Sequence, residues 1–286
     1  MVVNSELNTR ARTEPKTPQR PVRVISVTSG KGGVGKTNVV TNLALALAKI
    51  GQQVLIWDAD LGLANIDVLL GLKPEYNIQH LLNGEKTLRE ILVPGPAGVR
   101  IMPASSGIQE LSHLGEGQKV RLLSELDEYD DALDFLLIDT GAGISSNVMY
   151  FNLAAQERIV VVTPEPTSIT DAYALIKVMA TRYNQKRFNI LPNQVNGPKE
   201  AKSVYTLLAG VADKHLSSIS LDYLGFIPRD EALPRSVRQQ RAVVEAFPRA
   251  EASLKFTELA NVILRLKPEG LLDGNIRFLW KRLLRL

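Results

Sequence analysis

The chain has 286 residues, 45% hydrophobic and 22% charged, the proportions of one large globular unit, and it contains no cysteine. That excludes disulfides, thiolate-bound zinc and iron–sulfur clusters, and three scattered histidines argue against a transition-metal site. The net charge is +4, but residues 275–286 contribute +4 and residues 1–21 contribute +2, which leaves the body, 22–274, at −2; a basic total therefore does not signal a nucleic-acid-binding domain.

Residues 1–21 are polar, basic and proline-bearing without periodicity, and are expected to form a disordered arm. They lack the apolar core of a secretory signal, and no run approaches the roughly 20 apolar residues that span a bilayer, so a cytoplasmic protein is expected. From Val22 the texture changes. VRVISVT (22–28) is a β-rich run leading into a glycine loop, and NVVTNLALALAKI (38–50) has helical spacing that stops at Gly51. QVLIWDAD (53–60), VRIMPA (99–104), DFLLIDT (134–140), RIVVVTP (158–164), FNILPN (188–193) and LDYLGFIP (221–228) read as strands. Helical spacing fills most gaps, around 116–128, 145–156, 168–183, 198–213 and 251–266; Thr167, Ser168 and Asp171 offer caps for the third of these. Strands alternating with helices predict an α/β fold, a doubly wound, mostly parallel sheet with helices on both faces. Ligands in such sheets sit at the carboxyl ends of the strands, where the glycine loop and the acids of DAD and DTGAG all fall. Pro268 and Gly270 mark a linker before the last segment.

GKGGVGKT, that is Gly30, Lys31, Gly32, Gly33, Val34, Gly35, Lys36 and Thr37, satisfies G-x-x-x-x-G-K-[ST] between a predicted strand and a predicted helix. Its backbone N–H groups and the helix N-terminus form an anion nest. Lys36 is expected to neutralise the β/γ-phosphates and the Thr37 hydroxyl to ligate Mg²⁺. Lys31 is surplus to that scheme. Facing its own phosphates it would duplicate Lys36; facing outward it is either a solvated loop lysine or one that reaches a nucleotide held by a facing subunit. Asp58 and Asp60, two positions apart in an extended segment, project to one side. One suits a magnesium-bound water and the other an attacking water, unless the pair caps the next helix.

KGGVGKT resembles the deviant Walker A loop of the MinD/ParA family of SIMIBI-class P-loop NTPases, and the resemblance covers roughly 22–286. It implies slow, Mg-dependent, switch-type ATP hydrolysis in an ATP-dependent homodimer, where Lys31 crosses to the partner's phosphates much as an arginine finger does. DADLGLANIDVLLG (58–71) is similar to the family's first switch, which implies that Asp60 positions the nucleophilic water and Asp58 supports the magnesium through its bound water; Asn65 and Asp67 also fit the pattern. FLLIDTGAGI (135–144) resembles the Walker B strand and second switch, which implies that Asp139 binds Mg²⁺ through water; Gly141 stands where the family more often has proline. A strand-end acid could otherwise simply cap the following helix. Asn38 follows Thr37 where many relatives have Thr or Ser. Asn193 resembles the position that reads the purine amide edge, and Pro228 with Arg229 the wall that packs on the base. EPTSITDAYALIKVM (165–179) and IPRDEALPRSVRQQRAVVEAFPRAEAS (227–253) are similar to the FlhG/FleN group of flagellar number and site regulators. That implies as partner an FlhF-type GTPase, a C-ring component or a flagellar transcription activator. The arm has no match to D-Q-A-x-x-L-R, the motif with which many members stimulate FlhF.

At about 100° per residue, GNIRFLWKRLLRL (274–286) places Ile276, Leu279, Trp280, Leu283, Leu284 and Leu286 on one face and Arg277, Lys281, Arg282 and Arg285 on the other; Phe278 breaks the pattern. This suits an anionic membrane surface, or else a helix packed on the body or a partner. The family's use of a C-terminal targeting helix implies the former, a protein reversibly peripheral on the inner face of the cell membrane. The expected organisation is an arm (1–21), an ATPase domain (22–268), and a linker with an amphipathic helix (269–286). The competing expectation is a ParA-like DNA-partitioning ATPase that binds non-specific DNA as an ATP dimer, against which the acidic body and amphipathic tail both weigh.

Overall fold

The computed structural model describes residues 22–60, 65–104, 115–129, 133–216 and 218–266. In chain order the strands are β1 (Arg23–Ser29), β2 (Val54–Ala59), β3 (Val93–Pro94), β4 (Arg100–Met102), β5 (Phe135–Ala142), β6 (Glu157–Val162), β7 (Arg187–Val195), β8 (Ser220–Tyr223) and β9 (Ile227–Pro228). The helices are α1 (Lys36–Lys49), α2 (Ile66–Leu70), α3 (Ile78–Asn83), α4 (Leu88–Ile91), α5 (Glu116–Glu128), α6 (Ser146–Ala154), α7 (Pro166–Tyr183), α8 (Pro198–His215), α9 (Ala232–Arg238), α10 (Val243–Ala246) and α11 (Glu251–Arg265). The sheet runs β3-β4-β2-β5-β1-β6-β7-β8, with β9 also on β7. Every pairing is parallel except β3 with β4.

β1 lies at the centre, paired with β5 and β6, and all seven of its residues are buried. Alternate residues feed opposite cores, as the period of a strand requires. Ile25, Ile56, Leu137 and Val161 pack with α1, α10 and α11. On the other face Val24, Leu55, Trp57 and Ile138 pack with α3 and α6, and Val160 and Ile190 with α7 and α8. Trp57 is fully buried and meets the Phe151 ring edge-on at 5.1 Å between centroids. Helices thus cover both faces, and the ends of β1, β2 and β5 converge on one edge of the sandwich.

Two expectations are corrected. LDYLGFIP is two strands rather than one: Gly225, at φ 112°, turns the chain between β8 and β9, which pair with β7 at 187–190 and again at 193–195. Helix α7 starts at an uncapped Glu165 with Pro166 in its first turn. Of the three proposed caps, Ser168 instead accepts from the Thr163 N–H (3.0 Å). Among the described residues no helix is long and apolar enough to cross a membrane. The expected arm (1–21) and the expected linker and amphipathic helix (269–286) lie outside the described residues, as do residues 61–64 of the segment expected to form the first switch.

Candidate functional site

Residues 30–35 join β1 directly to α1. Gly35 has a left-handed φ of 92°, and a Cβ there would stand 2.6 Å from the Asn193 Nδ2, so both backbone and space require glycine. A Cβ on Gly30 would stand 2.1 Å from the Asp171 backbone, so the loop rests on the first turns of α7. The Ser29 hydroxyl donates to the Lys31 carbonyl (2.7 Å) and accepts from Lys36 Nζ (3.1 Å), which fixes the loop and the lysine together. Lys36 is 8% exposed, and burial lowers its pKa against the raising pull of Asp139 and Asp60.

Asp58 and Asp139 are register partners on β2 and β5. Asp58 accepts from the backbone N–H groups of Asp60 (3.3 Å), Asn65 (3.1 Å) and Ile66 (3.3 Å). It therefore does cap the start of α2, as one reading of the pair expected, while remaining beside Asp139. Burial raises its pKa to about 6, moderated by those three N–H groups. Asp139 stays within its strand; Ser145, not Asp139, caps α6 by accepting from the Val148 N–H (3.5 Å). Burial and then the Asp58 charge push the Asp139 carboxyl up to about 8, against a hydrogen bond from Thr37 and the charge of Lys36. Its Oδ1 is buried with no partner. The half-buried Asp60 adds a third carboxylate, whose charge acts on Lys36, Asp58 and Asp139. An orphaned carboxylate oxygen beside a hydroxyl, within a cluster of acids, fits a hard cation with oxygen ligands such as Mg²⁺.

Lys31 takes neither its own phosphate cradle nor open solvent. Its Nζ pairs with the Glu165 carboxylate and donates to the Thr167 hydroxyl (2.9 Å), at the start of α7. The side chain is 35% exposed, so it lies on the outer lip of the loop.

A second cleft, of about 650 Å³, opens beside the loop and brings together Asn38, Asn193, Pro228 and Arg229. The pairing of β7 with β9 sets Pro228 against Val195, and the Arg229 N–H donates to the Val195 carbonyl (2.8 Å). Asn193 is 4% exposed; its Nδ2 donates to the Val34 carbonyl (2.7 Å), while its Oδ1 is buried without a partner. A carbonyl can only accept, so the amide orientation is fixed by chemistry and its acceptor oxygen is the free end.

The structure thus gathers all the expected phosphate, acid and base residues at one edge. Ile276, Leu279, Trp280, Lys281, Leu283 and Leu284 fall outside the described residues. Sequence reasoning missed Ser29, Glu165 and Thr167 as members of the site. Ser29 was legible as the residue that opens the loop; the Lys31–Glu165 contact, 134 positions apart, had no local signal.

The ParA family profile, described as NUBPL iron-transfer P-loop NTPase, matches residues 21–264. With no cysteine present, iron held through sulfur does not carry over. The chain is 49% identical to the antiactivator FleN of Pseudomonas aeruginosa over 257 residues, covering 88% of this chain and 91% of FleN. It is 35% identical to the flagellum site-determining protein YlxH of Helicobacter pylori, covering 92% and 90%. The septum site-determining protein MinD of Pyrococcus horikoshii, solved with Mg-ADP, shares the fold at a TM-score of 0.68 and 24% identity, covering 85% of this chain and 96% of that one. Matched along nearly all of its described length, the chain belongs to the ParA/MinD family of P-loop ATPases and stands with FleN and YlxH within it.

Proposed function

We propose that this protein is an ATP-gated switch that regulates the number or placement of flagella from the inner face of the cell membrane. ATP binding brings two copies face to face, the pair docks on anionic lipid and on a flagellar partner, and hydrolysis ends the dimer. FleN is an antiactivator and YlxH a flagellum site-determining protein, which supports a transcription activator or a flagellar assembly factor as that partner.

The roles divide among the residues as follows. Lys36, Thr37 and the loop N–H groups, with Asn38 beside them, hold the phosphates. Thr37 and Asp139, steadied by Asp58, would hold Mg²⁺, which supplies neutralisation of the phosphate charge. Asp60, less buried than Asp58, orients the attacking water. The free Asn193 Oδ1 suits a base edge that donates, such as the adenine amino group, while Pro228 and Arg229 pack on the ring.

The observation that carries the dimer is the divergent fate of the two loop lysines. Lys36 is buried on Ser29, whereas Lys31 sits outward on Glu165 and Thr167, able to reach only what approaches from outside. The Glu165 contact is no obstacle to crossing, because a pair this exposed contributes about 1 kcal/mol or less. Lys31→Ala is expected to keep ATP binding by equilibrium dialysis and to lose both the dimer peak in size-exclusion chromatography and most hydrolysis. Wild-type turnover per subunit in that variant would remove the trans-acting lysine.

A further inference from the structure

Beyond β8, the outermost strand of the described sheet on its side, lies a groove of about 740 Å³ that the nucleotide site does not use. One wall is α11, which presents Lys255, Glu258, Leu259, Val262 and Arg265 at intervals of three and four residues. The floor is the connection from Tyr223 to Phe226, and Lys202 near the start of α8 closes the far side. Leu224 and Leu259 are buried, while Tyr223, Phe226 and Val262 stay partly open, so the base of the groove is apolar.

The rim is cationic. Lys202 Nζ stands 5.2 Å from the centre of the Tyr223 ring and Lys255 Nζ 5.0 Å from that of Phe226, so each ammonium borders an aromatic floor residue. Arg265 is exposed, and the rim's acid, Glu258, is already paired with Lys255. An apolar floor under a positive rim has a complement of stated chemistry: a chain that alternates carboxylates with large apolar side chains.

We propose that this groove docks an acidic, extended segment of another protein. Its carboxylates pair with Lys202, Lys255 and Arg265, and its apolar side chains rest on Tyr223, Phe226 and Val262. Charge decides among occupants. Residues 1–21 carry +2 and residues 267–286 carry +3, the sign of the rim itself, so charge favours neither end of this chain as the complement. Length decides the form: from Lys255 to Arg265 the helix rises about 15 Å, which about five residues of extended chain span. The Tyr205 hydroxyl donates to the Leu221 carbonyl (2.7 Å), covering β8 there, so the segment lies along α11 rather than adding a strand to the sheet. A flat anionic bilayer would meet the rim cations and leave the recessed floor untouched. The proposal does not depend on the nucleotide switch.

The test selects a displayed library of random peptides, each about 12 residues long, on the full-length protein with Mg-ADP, then titrates a labelled winner. Peptides rich in Asp and Glu with interspersed aromatic or aliphatic residues are expected, with affinity falling about tenfold or more in Lys202→Glu/Lys255→Glu and weakening as salt rises. Unchanged melting temperature and ATPase rate verify that the double variant is folded; if it is not, Lys202→Ala, at an exposed position, carries the titration. Selection of basic or uncharged peptides, no enrichment, or binding indifferent to these variants overturns the proposal. So does failure of the charge reversal to affect peptides while it abolishes sedimentation with phosphatidylglycerol vesicles, which would assign the rim to membrane.

Discussion

At the scale of single residues, the acids of the site pay most for their positions. Asp139 is held at about 8 and Asp58 at about 6, both above the ordinary carboxylate value, chiefly because burial disfavours their charge. A carboxyl raised in the folded state binds its proton more tightly there than in the unfolded chain. Its stabilising contribution is therefore full below about pH 4 and is lost as pH climbs toward about 8. The nucleotide-free protein is expected to melt at progressively lower temperature from pH 5 to about pH 8, and Asp139→Asn to flatten that slope, as thermal denaturation across buffers would show. A slope unchanged by the substitution would place the titrating group elsewhere. Two glycines make a matched contrast. Gly30→Ala drives a methyl into the Asp171 backbone and should displace the loop, lowering both stability and nucleotide affinity. Gly141, where the family more often has proline, lies otherwise: a Cβ there meets Val148 at 3.5 Å and Asp60 at 3.6 Å, ordinary contact distances. Gly141→Ala is expected to stabilise by about 0.5–1 kcal/mol by restricting the unfolded chain, read as a higher melting temperature.

At the scale of elements, the start of β1 ties together parts of the chain that are far apart. Arg23 grips Glu157 of β6 through Nε (2.9 Å) and Nη2 (2.7 Å), and its Nη1 donates to the Ile263 carbonyl in the last turn of α11 (2.5 Å). Both side chains are 11% exposed. Arg23→Met would leave a nearly buried carboxylate and an orphaned helix carbonyl, at a cost of about 3 kcal/mol. Adding Glu157→Gln should recover part of that loss, since the greater penalty is the unpaired charge; a double variant no better than the single would mean that packing dominates. The same scale shows what sequence could and could not reveal. α1, α7, α8 and α11 and the apolar strands were legible because each spans several periods of its pattern. α2, α4 and α10 span five residues or fewer, too short for a helical period to declare itself. The β8–β9 break was hidden because LDYLGFIP stays apolar on both sides of Gly225, and only pairing with β7 interrupts it. The phosphate loop and acid positions were readable from spacing and resemblance. The pinned Asn193 amide, the orphaned Asp139 oxygen and the Lys31–Glu165 pair were not, because each depends on neighbours supplied by folding rather than by sequence.

At the scale of the whole molecule, the proposed switch needs its two ends to act as one. Residues 274–286, as the helix expected from their spacing, would set six apolar residues on one face and four basic residues on the other, a weak anchor alone. Two such anchors held by a dimer bind with avidity, and the gain can reach about 10²-fold or more without any new contact. The trans-acting Lys31 would then control membrane residence without touching lipid, simply by deciding whether anchors come singly or in pairs. Asp60→Ala, impaired in hydrolysis but not in the loop, should accumulate the ATP dimer and sediment with phosphatidylglycerol vesicles more completely than the wild type. Placing Trp280→Glu in that background should abolish sedimentation while leaving the dimer peak in place, which separates the anchor from the switch. Lys31→Ala supplies the third arm, with an intact tail and no dimer. Equal vesicle binding by Lys31→Ala and Asp60→Ala would break the link, because single tails would then suffice and the nucleotide would have no hold on where the protein resides.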